Sequence, residues 1–517
     1  MNKSRAKPQD SVVPLDHAAP APSPQGRRAC VIGAGLGGLA LAIRLQAAGI
    51  ETVVIEARSA PGGRAGAVEH GGFRFDAGPD AISDPAGFAE LWGLTGDDMA
   101  DAVTLLPISP ACRFTWPDGT SFDLSDDEAA LTREIVRFAP DELGGYEDFR
   151  RSADSLLGDF RTRLAALPAK GWSALLRALP QLGRHQAWRS LDGLISSFIE
   201  HDKLRAVLSF EALRSGANPQ ETSATAAVLL ARQQHDGLWA VKGGTATLAA
   251  ALAARFELLG GTLRLHDPVL HVHTIGNRAS EVQTQSGWQE RFDAVASNAD
   301  LVHTYRDLLS ETARGPEAAR SLARKDYAPG LFVVHFALEG SWPGIPHRSV
   351  LMASRYTAML DDIYQSGVLP QDSLIMLSHP TVTDPSLAPE GKSLFTAAVP
   401  VAHQGKLPID WEVVGPMLEK RVLDEIGRRL VPDIHDRIIT KFHRSPRDFA
   451  LDFNSHLGSA WGLEPSRLQS WWLHARSRDA RIANFYLVGA STHPGTGIGG
   501  VLASAKLTAK LMQEDLR

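Results

Sequence analysis

The segment "ACVIGAGLGGLALAIRLQAAGIETVVIE", Ala29–Glu56, leaves few folds open to the chain. Ala29–Ile32 is a short apolar run that ends in glycine, the mark of a buried parallel strand. "GLALAIRLQAAG" follows with helical spacing and stops at Gly49, a suitable C′ residue. "TVVIE" is a second strand closing on Glu56. The whole is a strand–helix–strand unit with Gly33, Gly35 and Gly38 in the G-x-G-x-x-G spacing. Gly33 permits the tight turn, Gly35 lets backbone N–H groups approach a pyrophosphate, and Gly38 lets helix and strand pack closely. The helix N-terminus carries about half a positive charge toward that anion. Glu56, at the end of the second strand, is placed to accept from ribose hydroxyls. This spacing predicts dinucleotide binding.

The next stretch bears on which dinucleotide. "EARSAPGGRAGAVEHGGFRFDAGPD" continues from Glu56. Gly62, Gly63 and Arg64 form a second close-approach turn with a cation beside it, able to lie along a diphosphate or a flavin edge. The plainer alternative is a solvated loop with a surface arginine. "FDAGP", Phe75–Pro79, follows at a spacing that returns the chain toward the same place.

Bulk properties exclude several classes. A chain of 517 residues suggests two or more domains, or one interleaved unit. With 53 Lys and Arg against 59 Asp and Glu, the net charge is −6, so no overall basic field exists for nucleic acid. Cys30 and Cys112 allow one disulfide at most and no C-x-x-C pair, which points to a reducing compartment and to no metal site. Residues 1–28 are rich in Pro, Ala and charge without an apolar core, and are expected to be a disordered tail rather than a secretory signal. "ACVIGAGLGGLALAI" breaks at Arg44, too short for the ~20 residues of a membrane span. The charge-free run Ala483–Ala505 is long enough but is broken by Pro494 and five glycines.

That second run holds another glycine turn, "GASTHPGTGIGG", Gly489–Gly500. "NFYLVGA" before it reads as strand and turn, and "GGVLASAKLTAKLM" after it as an amphipathic helix. These motifs, with "ASNADLVHTYRDLL" (Ala296–Leu309) and "VTDPSLAPEG" (Val382–Gly391), resemble the two-dinucleotide-binding flavoproteins, and among them the bacterial-type carotenoid (phytoene) desaturases. The resemblance runs from about Ala29 to the C-terminus. It implies an α/β fold whose Rossmann-like FAD-binding domain is assembled from discontinuous segments, here 29–100, 226–310 and 476–517. A helical, membrane-facing substrate region would span 101–225, and a substrate-domain mixed sheet with helices 311–475. It also implies that the Val269 backbone bonds the adenine. Gly489, Gly499 and Gly500 would then approach the flavin, with a helix N-terminus directed at its polar edge or ribityl chain. "GGTLRLHDPVLHVHT" alternates like a strand pair, and "FDAVASNAD" would return to the sheet, with Asn298 and Asp300 as turn formers rather than catalysts.

Phe160–Arg189 carries six Lys or Arg, no acid, and the tryptophans Trp172 and Trp188. Pro168 and Pro180 divide it into short helices, and Leu175, Leu176, Leu179 and Leu182 recur at helical intervals. Such helices suit the plane of an anionic membrane surface; a solvated pair packed on the core by one face is the alternative. The implied substrate, a C40 polyene, must come from lipid, since each buried CH₂ is worth ~0.8 kcal/mol. The expected protein is thus cytoplasmic and peripheral (monotopic) on the inner face of the cell membrane.

The implied chemistry is FAD-dependent desaturation, a hydride leaving one carbon and a proton its neighbour, with quinone or oxygen as the final electron acceptor. His493, in the last glycine loop, is a candidate proton acceptor. Family members place an acid followed three residues later by an arginine after "GYEDF"; here Arg151 and Asp154 stand in the opposite order, and a surface ion pair is the competing reading. Asp80 stands where the family usually has Thr, and Gly499 where proline is common. These departures leave room for a different carotenoid substrate or number of steps, and for another carotenoid-modifying flavoenzyme of the family: a hydroxycarotenoid desaturase, an isomerase or a ketolase. An amine or protoporphyrinogen oxidase and a non-enzymatic prenyl-binding escort protein are the more distant alternatives.

Overall fold

Apolar residues alternate between two faces of the first strand, and that alternation sets the architecture. The computed structural model describes residues 26–164, 179–467, 469 and 475–517. The expected N-terminal tail therefore lies almost wholly outside the described residues, as do Trp172, Leu175 and Leu176. In the strand Arg28–Ile32, Ala29 and Val31 face one core and Cys30 and Ile32 the other. A strand buried on both faces needs cover on both, as parallel sheets do.

That sheet has five strands, all paired in parallel. Their order across the sheet is Phe485–Leu487, Ala294–Ser297, Arg28–Ile32, Glu51–Ile55 and Thr262–Arg264. The strand near the C-terminus thus lies two places from the strand near the N-terminus, with Ala294–Ser297 between them. Helices Leu36–Ala47, Thr245–Leu258 and Ile498–Asp515 cover one face. An antiparallel three-stranded sheet, beginning with Val269–Ile275, and the segment from Leu301 to Leu309 cover the other. The expected strand pair within residues 260–274 does not form. Thr262–Arg264 joins the parallel sheet, and Val269–Ile275 pairs with Arg278–Thr284.

The second layer is a seven-stranded mixed sheet with Gly330–Glu339 and Lys392–Val401 as its long central pair. Side chains alternate strictly here. Phe332, Val334, Phe336, Phe395, Ala397 and Val399 pack into one core with the helix Trp411–Arg429. Leu331, Val333, His335, Leu394, Thr396 and Ala398 face the opposite way, into a cavity. Two further strands of this sheet, Cys112–Thr115 and Ser121–Leu124, come from the region expected to be helical. They are only four residues each and carry little periodic signal. Helices Leu143–Asp159, Asp202–Arg214 and Ala227–Asp236 pack beside them. Residues 227–236, expected as the start of the FAD-binding segment 226–310, pack with these helices. Both cysteines are buried and free, in different sheets. Among the described residues no helix is long and apolar enough to cross a membrane.

Candidate flavin and substrate cavity

Strand ends and helix starts converge at the carboxyl edge of the parallel sheet. Backbone bonds there run from Gly33 N–H to the Ile55 carbonyl (2.7 Å), Asn298 N–H to Ile32 (2.8 Å) and Val488 N–H to Ser297 (3.0 Å). They lock the three turns that follow these strands against one another. The Asn298 side chain lies among them. A Cβ on Gly35 would come within 2.7 Å of its Nδ2, and one on Gly37 or Gly489 within 2.8 Å and 2.7 Å of its Oδ1. A Cβ on Gly38 would overlap the Gly33 carbonyl, which is the close helix–strand approach its place in the motif requires. Gly489 also has φ +113°, which side chains rarely adopt.

Two helices begin at this place. Leu36–Ala47 follows its cap at Gly35, and Ile498–Asp515 follows Gly497. Gly499 and Gly500 lie in the first turn of the second. The two helices pack on each other, so two sets of unpaired N–H groups and two positive dipole ends face one space. Gly62 N–H bonds the Ala34 carbonyl at 2.8 Å, which ties the Gly62–Arg64 turn to the first one. The Arg64 guanidinium donates to the Ala460 carbonyl at 2.7 Å, so it is held by the far wall and is not in solvent. Buried Glu56 accepts from the Ala34 N–H at 2.7 Å and the Arg58 N–H at 2.9 Å.

These groups line a cavity of about 880 Å³. Gly33, Gly35, Glu56, Gly62, Gly63, Arg64, Val269, Gly489, Gly499 and Gly500 all border it. Gly38 lies behind its wall. The arrangement fits a flavin dinucleotide: helix starts for a diphosphate, an acid at the strand end, and glycines where a Cβ would intrude. The same cavity continues to the inward face of the seven-stranded sheet, past Leu331, Val333 and Ala398.

None of the three catalytic candidates borders it. Arg151 is exposed and pairs with Asp148, while Asp154 lies 3.9 Å from Arg150. The two do not pair with each other, because the helix Leu143–Asp159 turns its buried face, Tyr146, Phe149 and Ala153, toward the core and these charges toward water. His493 is buried, and its N–H bonds the Ala475 carbonyl at 3.1 Å, which holds it outside the cavity lining.

Other charged groups do border the cavity. Arg348 lies 3.3 Å from Asp80 and 4.0 Å from Glu211, and Glu211 pairs with Arg214 at 2.8 Å. Burial pushes the Asp80 carboxyl up, but Arg348, then His347 and Arg214, outweigh it and hold the group below the usual carboxylate range. His335 accepts or donates at Nδ1 with Thr396 (3.0 Å) and stacks on Phe442. Burial lowers its pKa to about 3, so it is neutral at ordinary pH. Sequence reasoning named Asp80 only as a departure and did not find Glu211, Arg214 or Arg348. They sit on separate elements with no shared motif. The one available signal is an arginine at the start of the short strand Arg348–Leu351.

Comparison with known proteins agrees with this geometry. The model for flavin containing amine oxidoreductases matches residues 36–513. A lycopene-forming phytoene desaturase of Paracoccus sp. (strain N81106 / MBIC 01143) is 43% identical over 494 residues, covering 96% of this chain and 99% of its own. One from Pseudescherichia vulneris is 42% identical over 491 residues, covering 95% and 100%. The solved structure of putrescine oxidase shares the fold, with TM-score 0.60 at 16% identity over 95% of this chain and 98% of its own. The chain is an FAD-dependent oxidoreductase that belongs to the flavin-containing amine oxidoreductase family and, within it, to the phytoene desaturases.

Proposed function

We propose that this protein introduces C=C bonds into phytoene, a C40 polyene, during carotenoid biosynthesis. The observation that carries the reading is the continuity of one cavity from the two glycine turns to an apolar sheet face. FAD, when bound, supplies a two-electron acceptor for the departing hydride. Gly33, Gly35 and the start of Leu36–Ala47 hold its diphosphate, with Gly62, Gly63 and Arg64 alongside. Glu56 takes the ribose hydroxyls, the Val269 backbone the adenine, and Gly489, Gly499 and Gly500 the flavin end. Leu331, Val333, Leu394 and Ala398 form a dry wall that orients the hydrocarbon and excludes water. Loss of the hydride leaves an allylic cation delocalised into the polyene, and loss of a proton from the neighbouring carbon to water or a base closes the new C=C bond.

The test is co-expression in cells that accumulate phytoene. Red pigment marks lycopene, yellow pigment fewer steps; phytoene left unchanged by flavin-loaded protein would overturn the reading.

The substrate is drawn from a membrane surface on which the chain rests as a peripheral, monotopic protein at the inner face. Support comes from Trp188, 66% exposed, and Leu179, 49% exposed, with the exposed Arg184 between them in sequence. Sedimentation with liposomes of anionic lipid at low salt, weakened by high salt, is the expected result. Quinone or oxygen reoxidises the cofactor; the rate of bleached-flavin recovery with each distinguishes them.

A further inference from the structure

Desaturation frees a proton inside a cavity with an apolar wall, so a group that borders the cavity has to take it. Most of the titratable groups there are engaged elsewhere. Glu56 and Asp76 each have both oxygens met by backbone N–H groups, those of Ala34 and Arg58 for the first and of Thr245 and Ala246 for the second. Asp300 accepts two N–H bonds at a helix start, and Asp452 pairs with Arg444. Asp80 faces Arg348 at 3.3 Å and is held below the usual carboxylate range. His335, with a pKa of about 3, is a weak acceptor.

Glu211 differs. It is 4% exposed and borders the cavity. Among the described carboxylates of the lining, its Oε1 is the one buried oxygen that no hydrogen bond reaches. Burying such an atom is costly when nothing meets it. The other oxygen is firmly held: Oε2 faces Arg214 Nε at 2.9 Å and Nη2 at 2.8 Å. That grip fixes where Oε1 stands. Arg348 Nη2 is 4.0 Å from Oε1, too far for a direct hydrogen bond. Arg214 and Arg348 balance the charges of Glu211 and Asp80, which is what a carboxylate in a dry site requires.

The location is specific as well. Ser215 N–H bonds the Glu211 carbonyl at 3.2 Å, one helical turn on, and the Ser215 carbonyl accepts from Thr496 of the last glycine loop at 3.2 Å. A Cβ on Gly499 would overlap the Arg232 guanidinium, on the neighbouring helix Ala227–Asp236. Arg348 stands across from Glu211 on the seven-stranded sheet. Glu211 therefore lies where the cavity passes from the last glycine turn to the apolar sheet.

Resting on the polyene-desaturase reading, we propose that Glu211 is the proton acceptor of the reaction. One carbon gives up its hydrogen with the bonding electron pair, as hydride to the flavin. The C–H bond of the neighbouring carbon then breaks. Its electron pair closes the new C=C bond, and its proton forms an O–H bond with Glu211 Oε1. Arg214 is a positioning residue that holds the carboxylate through Oε2. The acid returns the proton to water once product has left, and the two electrons pass to quinone or oxygen.

The test uses FAD-loaded full-length protein and liposomes carrying phytoene, either unlabelled or deuterated at the carbons that lose the proton. Product formation, flavin content, Tm and phytoene retained per protein are measured for each variant. Glu211→Gln keeps the shape and removes the charge. It should slow product formation about a hundredfold or more and raise the isotope effect, with flavin content and retained phytoene unchanged. Glu211→Asp keeps the carboxylate but draws it back by one methylene, and its rate should fall between the two. A Glu211→Gln rate within about threefold of the unaltered protein overturns the proposal and leaves the desaturase reading standing. A slow variant with an unchanged isotope effect also overturns it, the loss then being one of fit. If Glu211→Gln holds no flavin, Glu211→Asp decides: slow turnover with a raised isotope effect supports the assignment, and full speed or absence of flavin overturns it. Failure of the unaltered, flavin-loaded protein to convert phytoene overturns the desaturase reading and this assignment with it.

Discussion

A Cβ placed on Gly37 would lie 3.4 Å from the Cα of Gly489, so the first and last glycine turns of the chain are in contact. Asn298 fills the remaining space beside both. Gly489→Ala therefore meets a 2.7 Å clash with Asn298 at a φ of +113°. It should cost about 1–3 kcal/mol and yield protein with little flavin. Flavin absorbance per protein and the Tm check this; full flavin loading would contradict it.

Glu56→Gln puts an amide where a carboxylate now accepts two backbone N–H bonds. One N–H then faces an NH₂ group or loses its charged partner. FAD affinity should fall about tenfold or more, equivalent to ~1.4 kcal/mol. Titration of the flavin-stripped protein with FAD measures the change.

Ala398→Trp adds bulk to the inward face of the Lys392–Val401 strand, opposite Val333. It should abolish conversion of phytoene while flavin content stays near stoichiometric, because the glycine turns are untouched. Product analysis alongside the flavin spectrum separates the two effects.

Arg151→Ala and Asp154→Ala remove exposed charges whose partners are Asp148 and Arg150. Such pairs contribute ~0–1 kcal/mol, and neither residue borders the cavity. Desaturation rates within twofold of the unaltered protein are expected. A hundredfold loss in either would restore the pair as a proton-handling device.

Glu464 is buried, and that burial, opposed by Lys406 and reinforced by Glu221 and Asp326, pushes its carboxyl up to about 7. The folded state thus holds this proton more tightly than the unfolded chain, where the group titrates near 4.5. Its contribution to stability is greatest below that lower value and is lost as pH rises through about 7. The total loss is on the order of 3 kcal/mol. Tm should decline between about pH 4.5 and 7 and level off above that, and Glu464→Gln should flatten the decline.

The cofactor half of the fold was legible because its signals are local. Ala29–Glu56 carries strand, turn, helix and acid in one uninterrupted stretch, and Phe485–Met512 repeats strand, turn and helix. The strand Gly330–Glu339 is long enough for its apolar run to speak. Cys112–Thr115 and Ser121–Leu124 are not, and what makes them strands is pairing with each other and with Arg348–Leu351. The polar lining of the cavity was hidden for a related reason. Glu211 looks like any helical glutamate until Arg348, far away in sequence, is brought to 4.0 Å from it. The three catalytic candidates came from motif position, and position along a chain does not report which side of a helix or loop faces the cavity.

The parallel sheet sets Phe485–Leu487 two places from Arg28–Ile32, with Ala294–Ser297 between. Phe485–Leu487 is made well after Ala294–Ser297, so the nascent chain carries an open edge along Ala294–Ser297 until the later strand emerges. The cavity that both glycine turns border is thus complete only once the second turn has been made. A chain halted before Gly489 keeps the first turn without the one that lies against it, and is expected to emerge colourless.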